Sequence, residues 1–135
     1  MNSEPKAGSN EQKALSSKKP HRNLLAWQRS MDLAVEIYGI TKRFPNEEIY
    51  SLPSQLRRAA VSVLSNIAEG AADRTKQQFS NYLSNAIGSL NEIDTQIDLA
   101  CRLGYLKAHD DRLQRMVDEC TALTYGLRKT VNRKQ

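Results

Sequence analysis

The chain has 135 residues, 26% charged and 6% aromatic, with six Gly, four Pro, two Cys and a formal net charge of +5. That length supports one domain with a real core, and so few aromatics and turn formers favour helices over many short strands. No apolar run reaches the roughly 18 residues of a membrane-spanning helix. The polar, mixed-charge N-terminus also lacks the apolar centre of a secretory signal, so the expected compartment is the cytoplasm.

The positive charge is unevenly spread. Lys6, Lys13, Lys18, Lys19 and Arg22 outweigh Glu4 and Glu11, leaving +3 over residues 1–22. Arg128, Lys129, Arg133 and Lys134 give +4 over residues 128–135, while residues 23–127 carry −2. The excess therefore lies in the two ends, which suit RNA, DNA or an acidic partner through counterion release, or serve only solubility.

Residues 1–22 contain a single Leu among Ser, Lys, Asn and Gln. They cannot bury enough apolar area to offset ordering and are expected to be a disordered basic tail. A first helix is predicted from Leu25 to Phe44, with Trp27, Met31, Ala34 beside Val35, Tyr38 and Thr41 on its apolar face and Leu33 and Ile37 widening it. Trp27 is expected over the bundle end or against a neighbouring subunit. Pro45 stops this helix, and an acidic connection with Glu47 and Glu48 follows.

The second helix starts near Pro53, which suits a first turn, and Gly70 reads as its end or a weakened last turn. Leu56, Ala60, Val63 and Ile67 form its core stripe. A second stripe of Gln55, Arg58, Ser62, Asn66 and Glu69 is polar but small in its middle, so another protein surface is expected close by. Trp27, Ser62, Asn66 and Glu69 are thus candidate subunit-interface residues.

Thr75 and Gln78 form a Thr-x-x-Gln capping box. It opens a third helix running to about Leu103, with Phe79, Leu83, Ala86, Leu90, Ile93, Ile97 and Ala100 facing the core. Asp94 flanks that stripe and is expected to pair with an Arg. Gly104 closes the helix. Asp110 is a suitable N-cap for a fourth helix, which carries Leu113, Met116 with Val117, Cys120, Leu123, Leu127 and Val131 and frays after Lys129. Residues 23–130 thus read as the bundle and 131–135 as a basic C-terminal tail. Four amphipathic helices with short connections give an all-α, antiparallel, up-down-up-down four-helix bundle. Cys101 and Cys120 read as core thiols roughly 9 Å apart along the bundle axis, too far for a disulfide.

Enzyme signatures are absent: no HExxH, Glu-x-x-His, phosphate loop or G-x-S-x-G occurs. His21 and His109 lack partners at metal-site spacings, so no metal or cofactor is expected. Glu69 and Asp94 as an acid–base pair weigh less than structural pairing with Arg57 or Arg58. Arg57 flanks the core stripe and could reach Asp94 or an acid of the first helix. Arg58 lies on the small polar stripe. Both suit ion pairing or phosphate contact.

Several segments bear a resemblance. They are Trp27–Ala34 (W-Q-x-x-M-D-L-A), Phe44-Pro45, Gln55–Ser62 (Q-L-R-R-A-A-V-S), Ser65–Gly70 (S-N-I-A-E-G), Gly88–Glu92 (G-S-L-x-E) and Leu103–Leu106 (L-G-Y-L). In this order they resemble the bacterial four-helix-bundle proteins related to those encoded in intervening sequences of 23S ribosomal RNA genes. The sequence departs from that pattern at Leu64, where many relatives have Pro, and at Ser51, where many have Gly. The resemblance implies a homo-oligomer, with a ring of five as the expected form, and no established activity. It also implies a suspected association with RNA or the ribosome. A distant relative, the accessory protein of diversity-generating retroelements, is a pentameric ring that binds a reverse transcriptase and nucleic acid.

The reading is therefore a non-catalytic, homo-oligomeric binding or scaffold module whose partners are itself and RNA or a nucleoprotein. The alternative is a protein–protein adaptor ring without direct nucleic-acid binding. Candidate contact residues are Arg57, Arg58, Arg74, Lys76, Arg128 and Lys129, together with both basic tails. Arg74 and Lys76 qualify because they flank the turn between the second and third helices.

Overall fold

The computed structural model describes residues 19–45, 51–72, 75–107 and 111–133. They form a 3-10 turn, Pro20–Asn23, and four helices: α1 Leu25–Thr41, α2 Leu52–Ala71, α3 Lys76–Arg102 and α4 Asp111–Arg133. Each helix packs on its neighbours in sequence, and α4 closes onto α1. Cross-helix pairs fix the directions. Ser62 meets Ser89 and Gln55 meets Gln96, so α2 and α3 run antiparallel. Asp94 meets Gln114 and Ser84 meets Arg128, so α3 and α4 do too. Arg29 meets Glu119 and Glu36 meets Arg112, which sets α4 antiparallel to α1. The bundle is up-down-up-down, with α1 diagonal to α3.

The predicted core stripes of α2 and α3 are buried as expected. Leu56, Ala60, Val63, Ile67, Leu83, Ala86, Leu90, Ile93, Ile97 and Ala100 all lie inside, with Phe79 partly covered. In α4 the seam runs through Leu113, Val117, Cys120, Thr124 and Val131. Thr124 is fully buried because its hydroxyl donates to the Cys120 carbonyl at 2.7 Å, which leaves no donor unpaired.

The face of α1 differs from expectation. Its buried line is Ala26, Ser30, Leu33, Ala34, Ile37, Ile40 and Thr41, whereas Met31, Val35 and Tyr38 are exposed. The helix carries apolar residues around most of its circumference, so periodicity alone could not choose a face. Packing against α2 and α4 buries the face that carries Leu33, Ile37 and Ile40. The helix also ends at Thr41, and Lys42 to Phe44 continue as a turn.

Caps explain the helix ends. The Gln78 N–H donates to Thr75 Oγ1 and the Thr75 N–H to Gln78 Oε1, each at 3.1 Å, which is the predicted capping box. Gly104 adopts φ +83. The Tyr105 N–H donates to the Ala100 carbonyl at 2.9 Å and the Gly104 N–H to the Cys101 carbonyl at 3.0 Å, a Schellman motif. Gly70 lies in the last turn of α2, which runs through Ala71. A Cβ there would lie 2.8 Å from Tyr82 Cβ and 2.9 Å from Phe79 Cδ1, so glycine allows the close approach of α2 and α3.

Helix α4 continues to Arg133, past the predicted fraying point, and the Pro20–Asn23 turn occupies the end of the segment expected to be a tail. The acidic connection, Arg74, His109 and the expected N-cap Asp110 lie outside the described residues. Among the described residues no helix is long and apolar enough to cross a membrane. The two cysteines are free, Cys120 buried and Cys101 half-buried.

Candidate nucleic-acid interface

Four antiparallel helices return the chain to the end where it started. Helices α1 and α3 begin and α2 and α4 end at one terminal pole. There Leu24 and Leu25 line one groove with Leu127 and Thr130. The first and last described residues, Lys19 and Arg133, therefore lie at the same pole. Its described residues, 19–28, 65–72, 75–82 and 126–133, include Lys19, Arg22, Lys76, Arg128, Lys129 and Arg133, with Glu69 the one carboxylate among them.

Aromatic rings carry part of this charge. The Arg22 guanidinium lies 5.4 Å from the Trp27 ring centroid, and the His21 ring meets Trp27 edge-on at 4.8 Å. Arg128 lies 5.0 Å from the Tyr125 ring and donates to Ser84 Oγ at 3.1 Å. Such contacts hold guanidinium groups in place while leaving a charged edge for an acceptor. Burial first, then the neighbouring Arg22 and Lys19 charges, hold His21 below its usual imidazole range. Trp27 is thus partly covered by its own preceding turn.

The far pole is also rich in cations, but several are engaged within the chain. Arg57 Nε donates to Thr41 Oγ1 at 2.8 Å and Nη2 to the Tyr38 carbonyl at 3.4 Å, and the guanidinium lies 5.0 Å from the Tyr38 ring. It clamps α2 to the C-terminal turn of α1, where carbonyls favour a cation. Arg57 reaches neither Asp94 nor an acid of α1. Arg112 pairs with Glu36 at 3.0 Å. Arg58 is exposed in a groove with Gln55, Ala59, Ser62, Glu92 and Gln96. In sequence, the far-pole connections add Glu47, Glu48 and Asp110, and the terminal-pole connection adds Asp73 and Arg74.

The predicted contact residues therefore fall into two groups. Lys76, Arg128 and Lys129 share the terminal pole, whereas Arg57 and Arg58 sit at the other. Lys19, Arg22 and Arg133, from the basic tails also expected to make contact, lie with the first group, an adjacency that follows from the topology.

The small polar stripe of α2 has its neighbour within the same chain. Ser62 and Ser89 hydroxyls lie 2.8 Å apart, and Asn66 Nδ2 donates to the Ser62 carbonyl at 2.8 Å and its hydroxyl at 3.1 Å. Ser62 is thus spent on α3 and Asn66 on Ser62 of its own helix, whereas Glu69 is exposed at the terminal pole. Asp94 accepts from Gln114 Nε2 at 2.8 Å, so an amide stands where an arginine was expected. In the register set by Ser62–Ser89, Glu69 lies level with Tyr82, twelve residues or roughly 18 Å along α3 from Asp94. The two carboxylates cannot work as an acid–base pair. Among the described residues no cluster of three His, Cys, Asp or Glu could hold a metal ion.

A family model described as 23S rRNA-intervening sequence protein matches residues 22–126. The chain belongs to this family. Among solved structures, this 23S rRNA-intervening sequence family member is similar to a protein from Bacteroides thetaiotaomicron VPI-5482, described as of unknown function and from the S23 ribosomal protein family. The two share 23% identity with a TM-score of 0.72, over 78% of this chain and 96% of that one. The likeness establishes the fold. No curated protein matches the sequence.

The motif segments of this family member have physical roles in the bundle. Gln55–Ser62 supplies the Leu56, Ala59 and Ala60 core positions, the Arg57 clamp and the Ser62 contact. Ser65–Gly70 supplies Asn66, Ile67 and the close approach at Gly70. These segments read as bundle-building elements, and the cations of the terminal pole lie mostly outside them.

Proposed function

We propose that this protein is a non-catalytic, homo-oligomeric helical-bundle scaffold that binds structured RNA or a nucleoprotein at its terminal pole. The observation that carries the reading is the convergence of Lys19, Arg22, Lys76, Arg128, Lys129 and Arg133, with one carboxylate among the described residues there. Phosphate binding needs such a concentration of cations, and the family's name ties its members to 23S ribosomal RNA genes. A ring of such chains, five being the form implied by the resemblance, would multiply weak contacts into firm binding.

The test begins with mass by light scattering and the 260/280 nm absorbance ratio of the same peak. Binding of a structured RNA hairpin is then followed against salt. The triple variant Lys76→Glu/Lys129→Glu/Arg133→Glu should lower the slope of log K against log salt by about 2–3, as expected for three lost phosphate contacts. Arg43→Glu/Lys107→Glu, at the far pole, should leave it nearly unchanged. Equal effects of the two variants would remove the terminal pole from the account. A ring free of nucleic acid that binds the hairpin no better than a generic polyanion would put the protein-adaptor reading in its place.

A further inference from the structure

The charge on the bundle is lopsided around its axis. The α1–α4 seam is laced by Arg29–Glu119 and Arg112–Glu36 pairs, as solvent-facing helices usually are. The α1–α2 seam is different. Met31, Val35 and Tyr38 from α1 are 37%, 67% and 43% exposed, and Val61 from α2 is 43% exposed. These four large side chains lie on adjacent helices, with Lys42 and Arg57 at one end and no carboxylate between them. Scattered exposed hydrophobics are ordinary; a contiguous set on one face marks an interaction surface.

A second charge-poor face lies elsewhere. The outer side of α3 presents Asn81, Asn85, Gly88, Glu92, Thr95 and Leu99. Leu99 and Leu103 are 48% and 47% exposed, and open space surrounds the Gly88 Cα. No lysine or arginine lies on this helix between Lys76 and Arg102. The two faces are complementary. One is raised by large apolar side chains and has cations at one end, while the other is open at Gly88, has Leu99 and Leu103 at one end and carries the Glu92 carboxylate.

We propose that the occupant of the α1–α2 face is the outer face of α3 in a second copy of this chain. The proposal rests on the oligomeric reading above and assigns it a surface. Joining two different faces makes a heterologous contact, which propagates around a ring or along a filament. Because the first face lies on the α1–α2 side and the second on the outer side of α3, a neighbour of α2, the two faces are oblique to one another and not back to back. Successive copies therefore turn relative to one another, as ring closure requires.

The substitution test is Val35→Glu/Val61→Glu, both at exposed positions, assayed by light scattering and helical circular dichroism. The expected result is loss of the assembled species with helix content retained. If the unsubstituted protein is itself a monomer, the oligomeric reading falls; if the variant assembles like the unsubstituted protein, only this surface falls. A second test covers the case where the variant does not fold. Val35→Cys and Leu99→Cys are prepared separately in a Cys101→Ser background, mixed under subunit exchange and oxidised. A disulfide-linked pair is expected only in the mixture. Cross-linking of Val35→Cys chains with themselves would overturn the α3 half of the proposal, and no cross-link at all in an assembled protein would overturn both halves.

Discussion

Replacing Gly70 by alanine tests the packing that joins α2 to α3. In a helix interior, Ala is favoured over Gly by roughly 1 kcal/mol. That gain is opposed at this site, because the new Cβ would sit 2.8 Å from Tyr82 Cβ and 2.9 Å from Phe79 Cδ1. The Tyr82 Cβ is fixed to the backbone, so relief requires α3 itself to shift, and overpacking of this kind costs about 1–3 kcal/mol. The expected balance for Gly70→Ala is a loss of up to about 2 kcal/mol. Gly126→Ala is the control. A Cβ at Gly126 meets nothing within 4 Å, so the same substitution should stabilise by nearly 1 kcal/mol. Urea unfolding at a fixed protein concentration, followed by circular dichroism, measures both. If Gly70→Ala stabilises as much as Gly126→Ala, the close approach of the two helices is wrong.

The other expectations concern single groups. Gly104→Ala places a side chain at φ +83 and should cost about 1–2 kcal/mol in the same unfolding assay. Arg57→Met should lower stability by about 1 kcal/mol through loss of the Thr41 and Tyr38 bonds, with hairpin binding unchanged; weaker binding at unchanged stability would mean that Arg57 contacts the ligand. Burial pushes the Cys120 thiol up to about 11, with the Ser30 hydroxyl acting in the opposite sense. The unfolded chain then loses that proton near pH 9 while the folded chain keeps it. The contribution to stability is full below pH 9 and falls as pH rises towards 11, as unfolding midpoints across that window would show. At neutral pH a thiol reagent should modify Cys101 before Cys120, and the reverse order would contradict the burial of Cys120.

Much of the fold was legible because local chemistry and periodicity agreed. The Thr75–Gln78 box, the Gly104 cap and the core stripes of α2 and α3 each needed only a few neighbouring residues. Where a choice depended on another helix, the sequence was ambiguous. Helix α1 offers apolar residues on two overlapping faces, and only its packing against α2 and α4 decides that Leu33 and Ile37 lie inside while Met31 and Val35 lie outside. The Ser62/Asn66 stripe suggests a second protein surface, and Ser62 bonds Ser89 of its own chain; no pattern in one helix distinguishes a neighbour in the same chain from one in another. Arg57 pointed to a flanking position, yet its target was a hydroxyl and a carbonyl at the end of α1, groups every helix possesses. Asp94 found Gln114 because an amide donor satisfies a half-buried carboxylate without a second charge. In the candidate site the basic ends were plain in the sequence, whereas their meeting with Lys76 depends on an even number of helices.

That even number makes the bundle open to rewiring. Since Leu24 and Leu127 line a common groove, residue 133 can be joined to residue 19 by a short Gly/Ser linker and the chain reopened between α1 and α2. Such a circular permutant would keep every helix–helix contact while moving its free ends to the opposite pole. It would carry the cations of the helices without the adjoining tails, separating charge built into the bundle from charge attached to it.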